Sequence, residues 1–235
     1  MKALFVFAHP DDETFSSGGT IAKLSKSGVI VKLICATKGE AGTVGDPPLT
    51  TQDRLGDARE KELRKAAKIL GISQIYFLGF IDGTLHQLPI GKLQEQILLI
   101  LQKEKPDMVV TFDKRGGSNH PDHKAVSKAT TRSFQKYLGS TKKWIRLYHT
   151  AIPRSYLKEY EKHGLSYTAF GTIKGVADTQ ITTISDIKDT YDIKVKAANC
   201  HKTQRKDWER FLSRADVVDV KKEFFMLILE NKLGW

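Results

Sequence analysis

A chain of 235 residues and 26.4 kDa, 40% hydrophobic and 28% charged, has the size and composition of one α/β domain spanning residues 1–235. Its two cysteines, Cys35 and Cys200, exclude a disulfide framework and a Cys-x-x-Cys zinc motif. No apolar run approaches the roughly 18 residues of a membrane helix. The formal charge of +11 admits an anionic partner. Yet Lys61, Arg64, Lys65 and Lys68 alternate with apolar positions as the solvated face of an amphipathic helix does. The denser basic stretch 188–222 carries no aromatic-interleaved or glycine-rich RNA motif. No membrane partner is expected, a solvated surface is favoured over a nucleic-acid site, and with no signal peptide visible the expected location is cytoplasmic.

Taken in order, the chain opens on an apolar run, residues 3–8, that reads as a strand buried on both faces. It ends abruptly in His9-Pro10-Asp11-Asp12-Glu13. Pro10 suits the first position of a helix, and the acids meet the positive end of its dipole. A helix is predicted to Gly28, then a β-branched strand over 29–36. Residues 37–51, rich in glycine and proline, read as a loop. Glu40 within it fits a site residue and a solvated loop acid equally well. A helix over 53–70, stopped by Gly71, precedes a short strand at 75–78 and a loop with Asp82-Gly83 and His86. A helix over 93–102 and a strand over 108–112 lead through a turn-rich loop to His120-Pro121-Asp122-His123. A helix over 125–137 and a strand over 145–152 follow. Beyond 153 the signal weakens: 153–175 shows no periodicity, 180–184 suggests a late strand and 186–201 a helix. The apolar stretch 224–229 either completes the core or meets another subunit.

Strand–helix alternation of this kind implies a Rossmann-like, three-layer α/β sandwich: a mostly parallel sheet of order 3-2-1-4-5 with helices on both faces. Strands one and four then lie side by side, and a crevice opens at their carboxyl ends. Both histidine motifs follow those two strands. No Gly-x-Gly-x-x-Gly follows strand one, so the crevice is expected to hold a metal rather than a dinucleotide.

His9 and Asp12, three apart, can aim at one point from a single helical turn. With His123 they make a three-ligand site with open positions, the arrangement of catalytic rather than structural zinc. Iron, cobalt or manganese could use the same ligands. Asp11 and His120 remain beside the metal without binding it. The chemistry this suggests is metal-assisted amide hydrolysis, with Asp11 as general base towards a metal-activated water and proton donor to the leaving amine. His120, if protonated, would stabilise the oxyanion, and Asp122 would orient a histidine.

The residues His9-Pro10-Asp11-Asp12-Glu13 and His120-Pro121-Asp122-His123 resemble the motifs of the PIG-L (LmbE-like) family of zinc-dependent N-deacetylases. The likeness extends to 37–42, to Arg59 and Glu62, to Phe77-Leu78-Gly79 with Asp82-Gly83, and to His201-Lys202-Thr203-Gln204, so it covers about residues 2–204. It implies removal of acetyl from an N-acetylglucosamine-type sugar or glycoconjugate, with Arg59 and Asp82 contacting substrate. His201 either supports the site or caps a late helix. The resemblance also allows a homo-oligomer. One departure stands out: many relatives carry a tyrosine two residues before the second motif's first histidine, where this chain has Ser118. Asn119, Tyr156 or Tyr167 are the candidate replacements. Two other readings stay open: an amidase for a larger thiol- or glycoconjugate, and a metal- or nucleic-acid-binding protein without catalysis. Against the latter, Asp11 and His120 accompany the ligands.

Overall fold

In a computed structural model of the chain, described for residues 1–89, 91–165 and 170–231, the expected sheet forms and then continues. The strands β1 (Lys2–Phe7), β2 (Ile30–Cys35), β3 (Ile72–Phe77), β4 (Met108–Thr111), β5 (Arg146–Ala151), β6 (Thr183–Asp186) and β7 (Lys222–Glu230) lie in the order β3-β2-β1-β4-β5-β7-β6. The first five are parallel. β7 runs antiparallel between β5 and β6. The predicted order 3-2-1-4-5 is therefore present, with an antiparallel pair added at its β5 edge.

β1 sits at the centre, paired with β2 and β4, and Ala3–Ala8 are at most 1% exposed. A strand covered on both faces has no polar face to show, which is why its sequence is a continuous apolar run. The helices are α1 (Asp12–Lys26), α2 (Leu55–Leu70), α3 (Lys92–Glu104), α4 (Pro121–Leu138), α5 (Arg154–Lys162), α6 (Tyr191–Ala198) and α7 (Arg205–Leu212). α1, α2 and α6 pack together, and α3 packs on α4. No helix among the described residues is long and apolar enough to cross a membrane.

The differences from expectation cluster after residue 153. α5 occupies part of the stretch read as aperiodic; it is nine residues long and its apolar face is only Tyr156, Leu157 and Tyr160, of which Tyr160 alone is buried, too short a stripe to stand out. The late strand begins at Thr183, because 178–180 form a tight helical turn. The helix predicted over 186–201 is shorter, a 3₁₀ turn at 188–190 preceding α6. The apolar stretch 224–229 completes the sheet as β7, the first of its two readings.

Candidate metal centre

The loops that follow β1, β2, β3 and β4 all leave the carboxyl edge of the sheet and meet over the β1–β4 gap. His9 and Asp12 come from the β1–α1 junction, and His123 from the first turn of α4. His9 Nδ1 lies 3.2 Å from His123 Nε2. The Asp12 carboxylate approaches His9 Nδ1 to 3.5 Å and His123 Nε2 to 3.2 Å.

The far nitrogen of each ring is already occupied. His9 Nε2 lies 2.8 Å from Asp82 Oδ1, and His123 Nδ1 lies 3.0 Å from the Gly116 carbonyl. With the ring protons on the nitrogens that face those acceptors, two lone pairs and a carboxylate are left to face one another. Such a set repels itself unless a cation sits between its members. Tetrahedral ligands at about 2.0–2.1 Å from zinc stand about 3.3 Å apart, which is the spacing found here. The donor set thus fits a divalent metal. His120 also lies within reach, since His9, His120 and His123 form one group able to hold an ion. A second such group, His9, Asp82 and Asp122, shares His9 through its other nitrogen.

Asp11 sits beside this centre in a left-handed backbone conformation, φ 115°, which is costly for a residue with a side chain. Its amide donates to Glu13 Oε2 at 3.0 Å, and its carboxylate accepts from Arg59 Nη2 at 3.1 Å. Burial pushes the Asp11 carboxyl up to about 7, against the pull of the Arg59 charge. Asp12 next to it goes the other way. Burial raises it, but the charge and hydrogen bonds of His123 and His9 outweigh burial and leave it well below the usual carboxylate range. Two adjacent aspartates are thereby given different protonation behaviour, the pattern by which one site obtains a proton carrier and a permanent anion.

His120 caps α4: its Nδ1 accepts the Asp122 amide proton at 3.1 Å. A ring that accepts at Nδ1 is neutral and carries its proton on Nε2. Burial, with His123 and His9 close by, also lowers its pKa to about 4. It is a neutral donor in this arrangement, whereas the imidazolium was the form considered from sequence.

The remaining expected residues also lie near the centre. Arg59, 4% exposed, donates from Nη1 to the Gly39 carbonyl at 2.8 Å and from Nη2 to the Pro10 carbonyl at 2.6 Å besides Asp11, while its buried Nε has no partner among the described residues. Gly39 has φ +69° and a Cβ there would stand 2.4 Å from the guanidinium carbon, so only glycine leaves room for this arginine. Asp82 lies against His9. Asp122, fully buried, accepts from the Gly83 amide at 2.7 Å and the Leu85 amide at 3.1 Å; its distance to His9 Nε2 is 3.5 Å. It anchors the loop that delivers Asp82. Glu40 accepts from the amides of Asp82 at 3.2 Å and Lys38 at 3.1 Å, tying the post-β2 loop to the post-β3 loop.

His201 Nε2 lies 3.1 Å from Glu13 Oε1, while Thr203 donates to Glu62 and Gln204 to the Thr43 carbonyl. The His-Lys-Thr-Gln element thus braces three separate pieces of the site. Glu13 is the residue that sequence reading passed over. It is fully buried and links His201 to the Asp11 amide. Its signal was the third acid of the run, one more than a helix dipole explains.

Of the candidate tyrosine replacements, Asn119 donates its side-chain amide to Phe170 O, and the Tyr156 hydroxyl donates to Asp219 O at 3.2 Å. Tyr167 lies outside the described residues. His149 and His163 bond to Thr131 and the Glu159 carbonyl, away from the centre. A cavity of about 700 Å³ opens over the cluster, lined by His9, Asp11, Arg59, Asp82, His120 and His123 at its deep end.

The family model PIG-L, described as GlcNAc-PI de-N-acetylase, matches residues 4–134. A 1D-myo-inositol 2-acetamido-2-deoxy-alpha-D-glucopyranoside deacetylase from Actinosynnema mirum is 32% identical over 236 residues, covering 88% of this chain and 82% of that protein. Among solved structures, the N,N'-diacetylchitobiose deacetylase from Pyrococcus horikoshii superposes with a TM-score of 0.68 at 27% identity, covering 97% of this chain and 83% of that one. A 4-carboxy-2-hydroxymuconate hydratase from Pseudomonas putida, 18% identical, has a TM-score of 0.70 over 98% of this chain and 97% of its own. The last shares the fold alone, so the architecture by itself does not choose the reaction. The match across both histidine motifs and the extent of the curated relative do establish that the chain belongs to the PIG-L family of deacetylases.

Proposed function

We propose that the protein is a metal-dependent hydrolase that removes acetyl from the amide nitrogen of an N-acetylglucosamine-type sugar or glycoconjugate. The observation that carries this reading is the convergence of His9 Nδ1, His123 Nε2 and the Asp12 carboxylate with a protonatable Asp11 on the same turn. His9, Asp12 and His123 would hold the metal, zinc by ligand type, with iron, cobalt or manganese compatible with the same donors. When bound, the ion supplies Lewis acidity that polarises the amide carbonyl and acidifies water.

The chain's own residues account for the proton movements. Asp11 takes a proton from the attacking water as its oxygen bonds to the acetyl carbon. Arg59 holds the Asp11 carboxylate in the orientation this requires. His120 presents Nε2–H to the oxygen of the former carbonyl, where negative charge develops. Asp11 then returns its proton to the nitrogen as the carbon–nitrogen bond breaks, giving acetate and a free amine. Asp82 fixes the tautomer of His9, and Glu40, Asp122 and His201 keep the surrounding loops and Glu13 in place.

The test is acetate release from N-acetylglucosamine and its glycosides by zinc-loaded protein and by Asp11→Asn, with metal content measured in both. Release by the wild type, reduced about 10²- to 10⁴-fold in the variant at equal metal content, is the expected result. A variant as active as wild type removes Asp11 from the mechanism.

A further inference from the structure

We propose that the outer half of the cavity is a binding subsite for an apolar, aromatic or alkyl, aglycone carried by the amino sugar. This rests on the deacetylase reading above and names the substrate class it would act on. A volume of about 700 Å³ suits a drug-sized ligand rather than a lone sugar ring. The residues of the candidate metal centre lie at the deep end. Outward from Asp11, one turn along α1, the lining changes to Phe15, then Tyr156, Leu157 and Tyr160 of α5, Phe211 of α7 and Phe224 of β7. All of these except Tyr160 are only half-buried. The protein has gathered apolar surface from four elements and left it facing the cavity. A concentrated patch of that kind marks a binding surface.

The rings pack on one another: Phe15 and Phe211 are 6.3 Å apart between centroids, Tyr156 and Phe224 5.0 Å, and Phe211 stacks on Trp208 at 5.2 Å. The charges at this end are matched with one another. Lys194 Nζ lies 2.7 Å from Glu223, Lys222 lies 3.1 Å from Asp219, and the Arg214 guanidinium lies 4.9 Å over the Tyr160 ring. With Asp207, three cations and three carboxylates line this end, which leaves little net field to hold an anionic aglycone such as a phosphate. The named relatives remove acetyl, so the apolar part of the ligand belongs on the sugar rather than on the nitrogen.

The experiment compares acetate release from N-acetylglucosamine, its phenyl glycoside and N-acetylglucosamine 1-phosphate, with octanoate release from N-octanoylglucosamine alongside. Calorimetric binding of phenyl glucosaminide and glucosamine gives a readout independent of turnover. The phenyl glycoside is expected to have kcat/KM at least about tenfold above the free sugar. That ratio should fall towards one in Phe211→Ala on α7 and in Leu157→Ala on α5. The two variants alter separate elements, so misfolding of one leaves the other to decide. Equal kcat/KM values for phenyl glycoside and free sugar in the wild type overturn the inference while leaving the deacetylase reading intact. So does a preference for the 1-phosphate or for the N-octanoyl compound. If nothing releases acid but phenyl glucosaminide still binds at least tenfold tighter than glucosamine, the subsite stands and the deacetylase reading falls.

Discussion

Asp82 Oδ1 stands 2.8 Å from His9 Nε2, on the opposite side of the ring from the nitrogen that faces Asp12 and His123. The contact makes Asp82 the group that decides which nitrogen of His9 is available. An amide at this position could present its NH₂ to Nε2 and reverse the tautomer. Asp82→Asn is therefore expected to weaken metal affinity about 10- to 100-fold, measured by competition with a chromogenic chelator. Unchanged affinity with a raised KM would instead assign Asp82 to the substrate, the role implied by family resemblance.

Arg59 invites the same distinction. Its guanidinium bonds Gly39, Pro10 and Asp11 simultaneously, a fork that lysine cannot reproduce. Arg59→Lys should lower kcat at least about 10²-fold with a smaller change in KM, because an interaction that orients a proton carrier is lost in the transition state. Gly39→Ala should reproduce the effect from the other side, since its methyl would collide with the guanidinium. Steady-state kinetics on both variants checks this; a rise in KM alone for Arg59→Lys would make Arg59 a substrate contact.

Lys194 and Glu223 form an ion pair that is 1% and 3% exposed at the side chains, and Glu223 also accepts the amides of Gly19 and Thr20 in α1. Removing one partner strands a buried charge. Lys194→Met is expected to cost about 3–5 kcal/mol in urea unfolding, and Lys194→Met with Glu223→Gln should recover part of it. A single variant within about 0.5 kcal/mol of wild type would show that the pair is dispensable.

His149 gives a pH dependence remote from the metal centre. Burial lowers its pKa to about 4 in the fold, against 6.5 ordinarily. Between those values the unfolded chain binds the proton and the folded chain does not. Its contribution is therefore present in full above pH 6.5, shrinks as pH falls, and is lost by about pH 4, a span of about 3 kcal/mol. Denaturant melts of wild type and His149→Gln at pH 7 and pH 4.5 should show a smaller acid loss in the variant. Parallel acid losses would place the proton elsewhere.

How much of this could be read from residues alone follows the physics of each element. β1 and β4 announce themselves because burial on both faces leaves an unbroken apolar run, and the two histidine motifs that end them are local in sequence. That sufficed for the sheet order through β5 and for bringing His9, Asp12 and His123 into one crevice. What a side chain does with its free valence was not local. Arg59 satisfies carbonyls from two other loops, Asp122 serves amides thirty-nine and thirty-seven residues away, and Glu13 meets His201 across 188 positions. α5 and β6 escaped for a different reason: nine and four residues are too short for a periodic pattern to stand out.

The position of β7 has a further consequence. Among the described residues β6 joins the sheet only through β7, although thirty-five residues separate the two strands in the chain. During synthesis, the ribosome releases every proposed metal ligand and the five parallel strands before the outer edge of β5 can be covered. Until residues 222–230 emerge, the nascent protein carries an open sheet edge and a half-walled cavity, the state in which chaperones and aggregation compete for it.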